Sequence, residues 1–135
     1  MNVRRGFLYL SLTLFAVVLA DASTPPNSVS VDCNKGQSLN QTLAKLDKQT
    51  PTTVSVNGTC TEYVNVVGFE NLVLKGQPGA TLAQPSGGAG ILFTALLLIE
   101  SSRSVLVSGF SVQADTSTSA IAIGPGSSDI RLSAT

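Results

Sequence analysis

Val66-Val67-Gly68-Phe69-Glu70-Asn71-Leu72-Val73-Leu74-Lys75-Gly76 decides the fold, because its pattern returns twice. The second copy is Ile99-Glu100-Ser101-Ser102-Arg103-Ser104-Val105-Leu106-Val107-Ser108-Gly109. The third is Ile123-Gly124-Pro125-Gly126-Ser127-Ser128-Asp129-Ile130-Arg131-Leu132-Ser133. Each runs from an apolar residue through small or polar residues to a polar residue, then apolar-x-apolar. The first and second copies start 33 residues apart, the second and third 24. Repetition at such a period marks stacked units that bury one continuous core together. It speaks about fold before it speaks about function.

Short stretches around these copies carry the same message. Val54 and Val56 alternate within Thr53–Asn57, and Asn57-Gly58 reads as a turn. Tyr63–Val66, Leu72–Leu74 and Ala80–Ala83 read as further brief strands, with a turn at Gly76–Gly79. Pro85–Gly90 reads as a flexible excursion that accounts for most of the longer first interval. Ile91–Ile99 is strongly apolar, too short for a membrane helix, and reads as buried strand. Val105–Val112 alternates around Gly109, and Ala120–Ile123 and Ile130–Leu132 complete the series. Short strands, glycine and serine corners and a near-constant period suit a solenoid of short parallel strands better than a two-sheet sandwich.

One helix is expected, over Gly36–Gln49. Ser38 is its N-cap, with Gln41 three residues on as in a capping box. Leu39, Leu43 and Leu46 form one apolar stripe, and Lys45 and Lys48 suit the negative end of the helix dipole. Pro51 stops it. A short amphipathic helix ahead of a run of strands is what an N-terminal cap requires.

The first 22 residues read as a signal peptide. Arg4 and Arg5 form a basic start, Phe7–Ala20 an apolar stretch of 14 residues, and Ala20-Asp21-Ala22 a small-x-small cleavage site. The apolar stretch is too short to leave a stable membrane anchor. Arg4–Leu8 resembles part of a twin-arginine signal, but Val3 and Tyr9 depart from that pattern, so the general secretory route is favoured. The expected location is secreted, extracellular or periplasmic. Residues 23–30 read as a flexible lead-in that passes into a short first strand around Val29 and Val31. Residues 31–135 then form one domain of cap and coils.

The formal charge is zero. Without Arg4, Arg5 and Asp21 there remain six basic and seven acidic residues. No basic field attracts nucleic acid. Histidine, the commonest general base and metal ligand, is absent. Tryptophan is absent too, which counts against a sugar-stacking module. Cys33 and Cys60 are the only cysteines. In an exported chain they read as a structural disulfide contributing roughly 3–4 kcal/mol, rather than a redox pair, since the spacing is not C-x-x-C.

Val31-Asp32-Cys33, the helix around Leu43, Thr53–Cys60, Glu62 and the Phe-x-Asn-Leu-x-Leu-x-Gly unit of Phe69–Gly76 resemble the opening of secreted right-handed parallel β-helix proteins of the pectin-lyase-like fold. The resemblance covers Val29–Thr135. It implies an all-β, right-handed parallel β-helix (a solenoid) with a short N-terminal capping α-helix. It implies that Leu72, Leu74, Val105, Val107, Ile130 and Leu132 point inward, and that Asn71, Ser104 and Asp129 align at a corner as a structural polar ladder. It says little about activity, because the fold carries lyases, hydrolases, epimerases, adhesins and tailspikes.

The family usually has many coils and a C-terminal cap. Here the pattern stops at Asp129–Thr135 with about three or four coils, an apparent C-terminal truncation. The expectation is the N-terminal portion of a longer protein, with a truncated gene or a chain completed by a partner as alternatives. An uncapped last coil invites end-to-end self-association.

No residue is assigned a catalytic, cofactor-binding or metal role. No two acidic residues are neighbours and no Asp-x-Asp occurs. Repeat alignment sets Glu70 over Arg103, which reads as an exposed ion pair rather than a catalytic couple. Asn40-Gln41-Thr42 and Asn57-Gly58-Thr59 match the glycosylation sequon, which means nothing in a bacterial host. The expected role is structural, at a surface, with extracellular polysaccharide as the material bound by the whole protein. The alternative is a polysaccharide lyase or glycoside hydrolase whose catalytic coils lie beyond Thr135.

Overall fold

In a computed structural model of the chain, residues 27–86, 95–115 and 118–133 are described. The signal segment, part of the lead-in, the glycine-rich part of the excursion and Ile91–Thr94 lie outside them.

Eleven strands fall into three sheets, and every pairing among the described residues is parallel. The first sheet holds β1 (Asn27–Asp32), β2 (Thr52–Asn57), β5 (Glu70–Gly76), β8 (Arg103–Ser108) and β11 (Ser128–Ser133), in that order. The second holds β3 (Thr59–Thr61), β6 (Thr81–Ala83) and β9 (Ser111–Gln113). The third holds β4 (Val64–Val67), β7 (Ala95–Glu100) and β10 (Ser119–Ile123). From β2 onward the chain visits first, second and third sheet in constant order. The fold is all-β with parallel strands and one α-helix, a layout compatible with a parallel β-helix.

Alternation builds the interior. Val54 and Val56, Leu72 and Leu74, and Val105 and Val107 are buried, and the register stacks them rung on rung. Val64 and Val66 stack on Leu97 and Ile99 in the third sheet, and Leu82 fills the second. The corners need small residues. A Cβ on Gly76 would stand 2.5 Å from the Gly109 carbonyl oxygen one coil away, so the two glycines let the coils close.

Several expectations change. The helix is shorter: α1 covers Leu39–Lys45, preceded by a 3-10 turn at Cys33–Lys35 that Gly36 ends in a left-handed conformation. Leu46 is already extended, because Asp47–Thr50 forms its own turn. The Val105–Val112 run is two strands, since Gly109 at φ +80° turns the chain into the next sheet. Asn57-Gly58 turns β2 into β3, a strand with no clear signal of its own; the two lie in different sheets and form no hairpin. The first strand starts at Asn27, inside the stretch read as a lead-in, and pairs with β2 along its length. Of the six residues expected inward, Ile130 is half-buried and Leu132 is 48% exposed, β11 pairing only with β8 among the described residues.

Candidate functional site

The polar chemistry of this chain gathers at two places: the helix end of the coil and one corner. At the helix end, Glu62 follows β3 and reaches under α1. The backbone N–H groups of Leu39 and Asn40 donate to its Oε1 at 2.6 and 3.3 Å. Ser38 Oγ donates to Oε2 at 2.7 Å while accepting from the Gln41 N–H at 3.2 Å. The first turn of a helix has unpaired N–H groups, and a carboxylate from elsewhere in the fold satisfies them here. Ser38 is therefore the N-cap, with Glu62 added to it.

Two asparagine amides act as substitute backbone. Asn34 Oδ1 accepts from the Thr59 N–H at 3.1 Å, closing the outer edge of β3. Asn40 Oδ1 accepts from the Asn65 N–H at 3.0 Å and its Nδ2 donates to the Tyr63 carbonyl, closing the edge of β4. Leu39 and Leu43 seal the core above them. The Cys33–Cys60 disulfide, with Cα atoms 5.1 Å apart, ties the 3-10 turn to β3.

Between α1 and the third sheet lies a groove of about 670 Å³. Leu43, Tyr63, Val67 and Phe69 line it, and the Lys48 ammonium stands 5.5 Å from the Phe69 ring centroid, a cation–π contact. Of its polar groups, Asn40 and Glu62 are already engaged in the cap, and Asn65 also lines it. The groove offers apolar surface and one cation, with no group placed as an acid–base pair. Just past the helix, Asp47 accepts from the Gln49 N–H and then the Thr50 hydroxyl, which hold its carboxyl below the ordinary 3.8.

At the corner entering the first sheet, Asn71, Ser104 and Asp129 occupy the same place in three successive coils. All three are left-handed, with φ of 62°, 56° and 53°. Ser104 Oγ donates to Asp129 Oδ2 at 3.0 Å, and Arg131 Nε lies 3.1 Å from Asp129 Oδ1. Two residues earlier sits a second column, inside the coil, that sequence reading missed. The Ser102 hydroxyl accepts from the Phe69 N–H at 3.1 Å and donates to the Glu100 carbonyl at 2.8 Å. Ser127 Oγ repeats the device, accepting from the Ser102 N–H at 3.4 Å and facing the Ile99 carbonyl at the same distance. Serine stands two positions before Ser104 and Asp129, with Phe69 in that place before Asn71, and this recurrence is the signal that could have found it.

Glu70 and Arg103 are register neighbours, yet the expected ion pair does not form; the one ion pair among the described residues is Arg131–Asp129. Backbone register fixes the Cα positions without joining the half-buried Glu70 to the exposed Arg103. At another corner Gln84 and Asp115 bond reciprocally across coils at 2.8 and 2.9 Å. Among the described residues no three of His, Cys, Asp and Glu come together, and no helix is long and apolar enough to cross a membrane.

No match was found. Neither family models, curated proteins nor solved structures align with this chain. The likeness to the pectin-lyase-like fold rests on the residues quoted for it.

Proposed function

We infer that this chain is the closed N-terminal end of an exported right-handed parallel β-helix protein, with a structural role at a surface that meets extracellular polysaccharide. The observation that carries the reading is the cap. Glu62, Asn34, Asn40, α1 and the disulfide all serve to seal one end of a stack of parallel strands. Right-handed coiling follows from the preference of parallel crossovers. The disulfide is consistent with an oxidising compartment. Five carboxylates with hydrogen-bond partners support local structure: Asp32 the 3-10 turn, Asp47 the turn after α1, Glu62 the helix, Asp115 the Gln84 contact and Asp129 the corner.

The test is to express the whole chain in a secreting host. The culture fluid or periplasm should hold a chain that starts at Ser23 with both cysteines oxidised. That chain should release no unsaturated sugar product, and the whole protein that carries it should co-sediment with insoluble acidic or neutral polysaccharide. Retention of an uncleaved chain in the cytoplasm contradicts export. Failure to co-sediment contradicts the polysaccharide reading. Ultraviolet-absorbing unsaturated product makes the chain a lyase instead.

A further inference from the structure

The turn from β2 into β3 reads Val56-Asn57-Gly58-Thr59, and Asn57 is the only asparagine of the chain followed by glycine. Asn57 ends β2 and is exposed. Its side chain lines a polar cleft with Asp32, Lys35 and Gln77, and its amide makes no hydrogen bond among the described residues. Asn34 and Asn40 differ, since each holds a strand N–H with its amide oxygen. Gly58 is left-handed at φ +84° and has no side chain to screen its nitrogen. Its carbonyl accepts from the Thr81 N–H at 3.0 Å, while its own N–H donates no hydrogen bond among the described residues. An uncommitted backbone nitrogen therefore follows an uncommitted, exposed side-chain amide.

We propose that Asn57 is a self-modification site, at which the folded chain converts its own asparagine to aspartate and isoaspartate. The Gly58 nitrogen gives its proton to solvent hydroxide and attacks Asn57 Cγ. The new N–Cγ bond closes a succinimide ring. The Cγ–Nδ2 bond breaks, and Nδ2 takes a proton from water and leaves as ammonia. Water then opens the ring. Addition at Cγ breaks the new bond and gives aspartate; addition at the Asn57 backbone carbonyl carbon breaks the original peptide bond and gives isoaspartate. One water is taken up for each ammonia lost, and nothing is oxidised or reduced.

The surroundings decide what the change does. Asp32 and Asn57 are register partners on β1 and β2, so either product sets a second carboxylate beside Asp32. Lys35, in the same cleft, offsets part of that charge. Isoaspartate also routes the backbone through the former side-chain carbon, which lengthens the turn. Gly58 has no slack to absorb it. A Cβ there would stand 2.5 Å from Asn34 Cγ, so the Asn34 side chain lies directly against this glycine. The same side chain accepts from the Thr59 N–H at 3.1 Å and closes the edge of β3. A longer turn pulls on that bond and loosens the cap at β3. The proposal rests on this turn and does not depend on export or polysaccharide binding.

Peptide mapping of the purified, oxidised chain from a bacterial host tests it. The native chain is held at mildly alkaline pH until a urea-unfolded sample has fully converted at Asn57. By then the native chain should yield two products in the tryptic peptide Gln49–Lys75, each with the mass gain of an NH2-to-OH exchange at position 57. Asn57→Gln should yield neither. The converted chain should exchange the Thr59 amide hydrogen faster than the fresh chain. Asn57→Asp should fall between them, since it adds the charge without the longer backbone. A native chain that keeps Asn57 intact, or that converts another asparagine first, overturns the site. Conversion that leaves Thr59 exchange unchanged overturns its effect on the cap.

Discussion

Single residues at the corner bear specific, separable loads. Asn71 sits in a left-handed conformation that asparagine and glycine tolerate and β-branched residues do not. Asn71→Val should lower stability by about 1–2 kcal/mol, whereas Asn71→Gly should stay within about 0.5 kcal/mol. Urea unfolding midpoints separate these outcomes. Ser102 is 1% exposed and its hydroxyl satisfies the Phe69 N–H. Ser102→Ala leaves that donor buried and unpaired, so a loss of about 1–3 kcal/mol is expected in the same assay. Asn71, Ser104 and Asp129 each stand immediately before the apolar-x-apolar triplet of their repeat, and the register sets the three side by side. The serine column was hidden because serine at a turn reads equally well as exposed turn chemistry. The distinction is burial, which is set by the neighbouring coil.

At the scale of elements the cap is the informative piece. Seven helical residues are too few to be stable alone, so α1 depends on what holds its start. Glu62 supplies that hold across 22 to 24 residues of sequence, a distance at which no local pattern could assign it. Glu62→Ala should cost about 1–3 kcal/mol and selectively expose the amides of Leu39 and Asn40 to hydrogen exchange. The disulfide acts on the same piece from the other side. Replacing Cys33 and Cys60 with serine should cost about 2–5 kcal/mol, read as an unfolding midpoint that reductant lowers only in the parent chain. The helix boundaries differed from the sequence reading for a local reason. Gly36 ends a separate 3-10 turn and Asp47 begins another turn, and each takes residues that the leucine stripe alone would assign to the helix.

The described fold follows from parallel strands that stack in register, with α1 and the disulfide at the β1 end. The apolar-x-apolar triplets and their spacing were enough to read parallel stacking of repeats distant in sequence. They were not enough to place every strand: β3 is three residues long and declares itself only through its pairing with β6. Nor did the sequence show which polar residues face the helix end. That depends on how the cap folds back across β3 and β4, which brings Glu62 to the start of α1. Burial falls off toward β11, where an inward-pointing leucine stands half in solvent.

Parallel stacking is the central claim, and backbone NMR tests it most directly. The register joins Leu72 to Val105 and Val105 to Ile130 in strands that run the same way. Amide-to-α-proton contacts linking these three positions, with the slanted spacing of parallel strands, are the predicted result. Close α-proton pairs between successive strands, such as β2 with β3 across Asn57-Gly58, would mean antiparallel hairpins and would contradict the account.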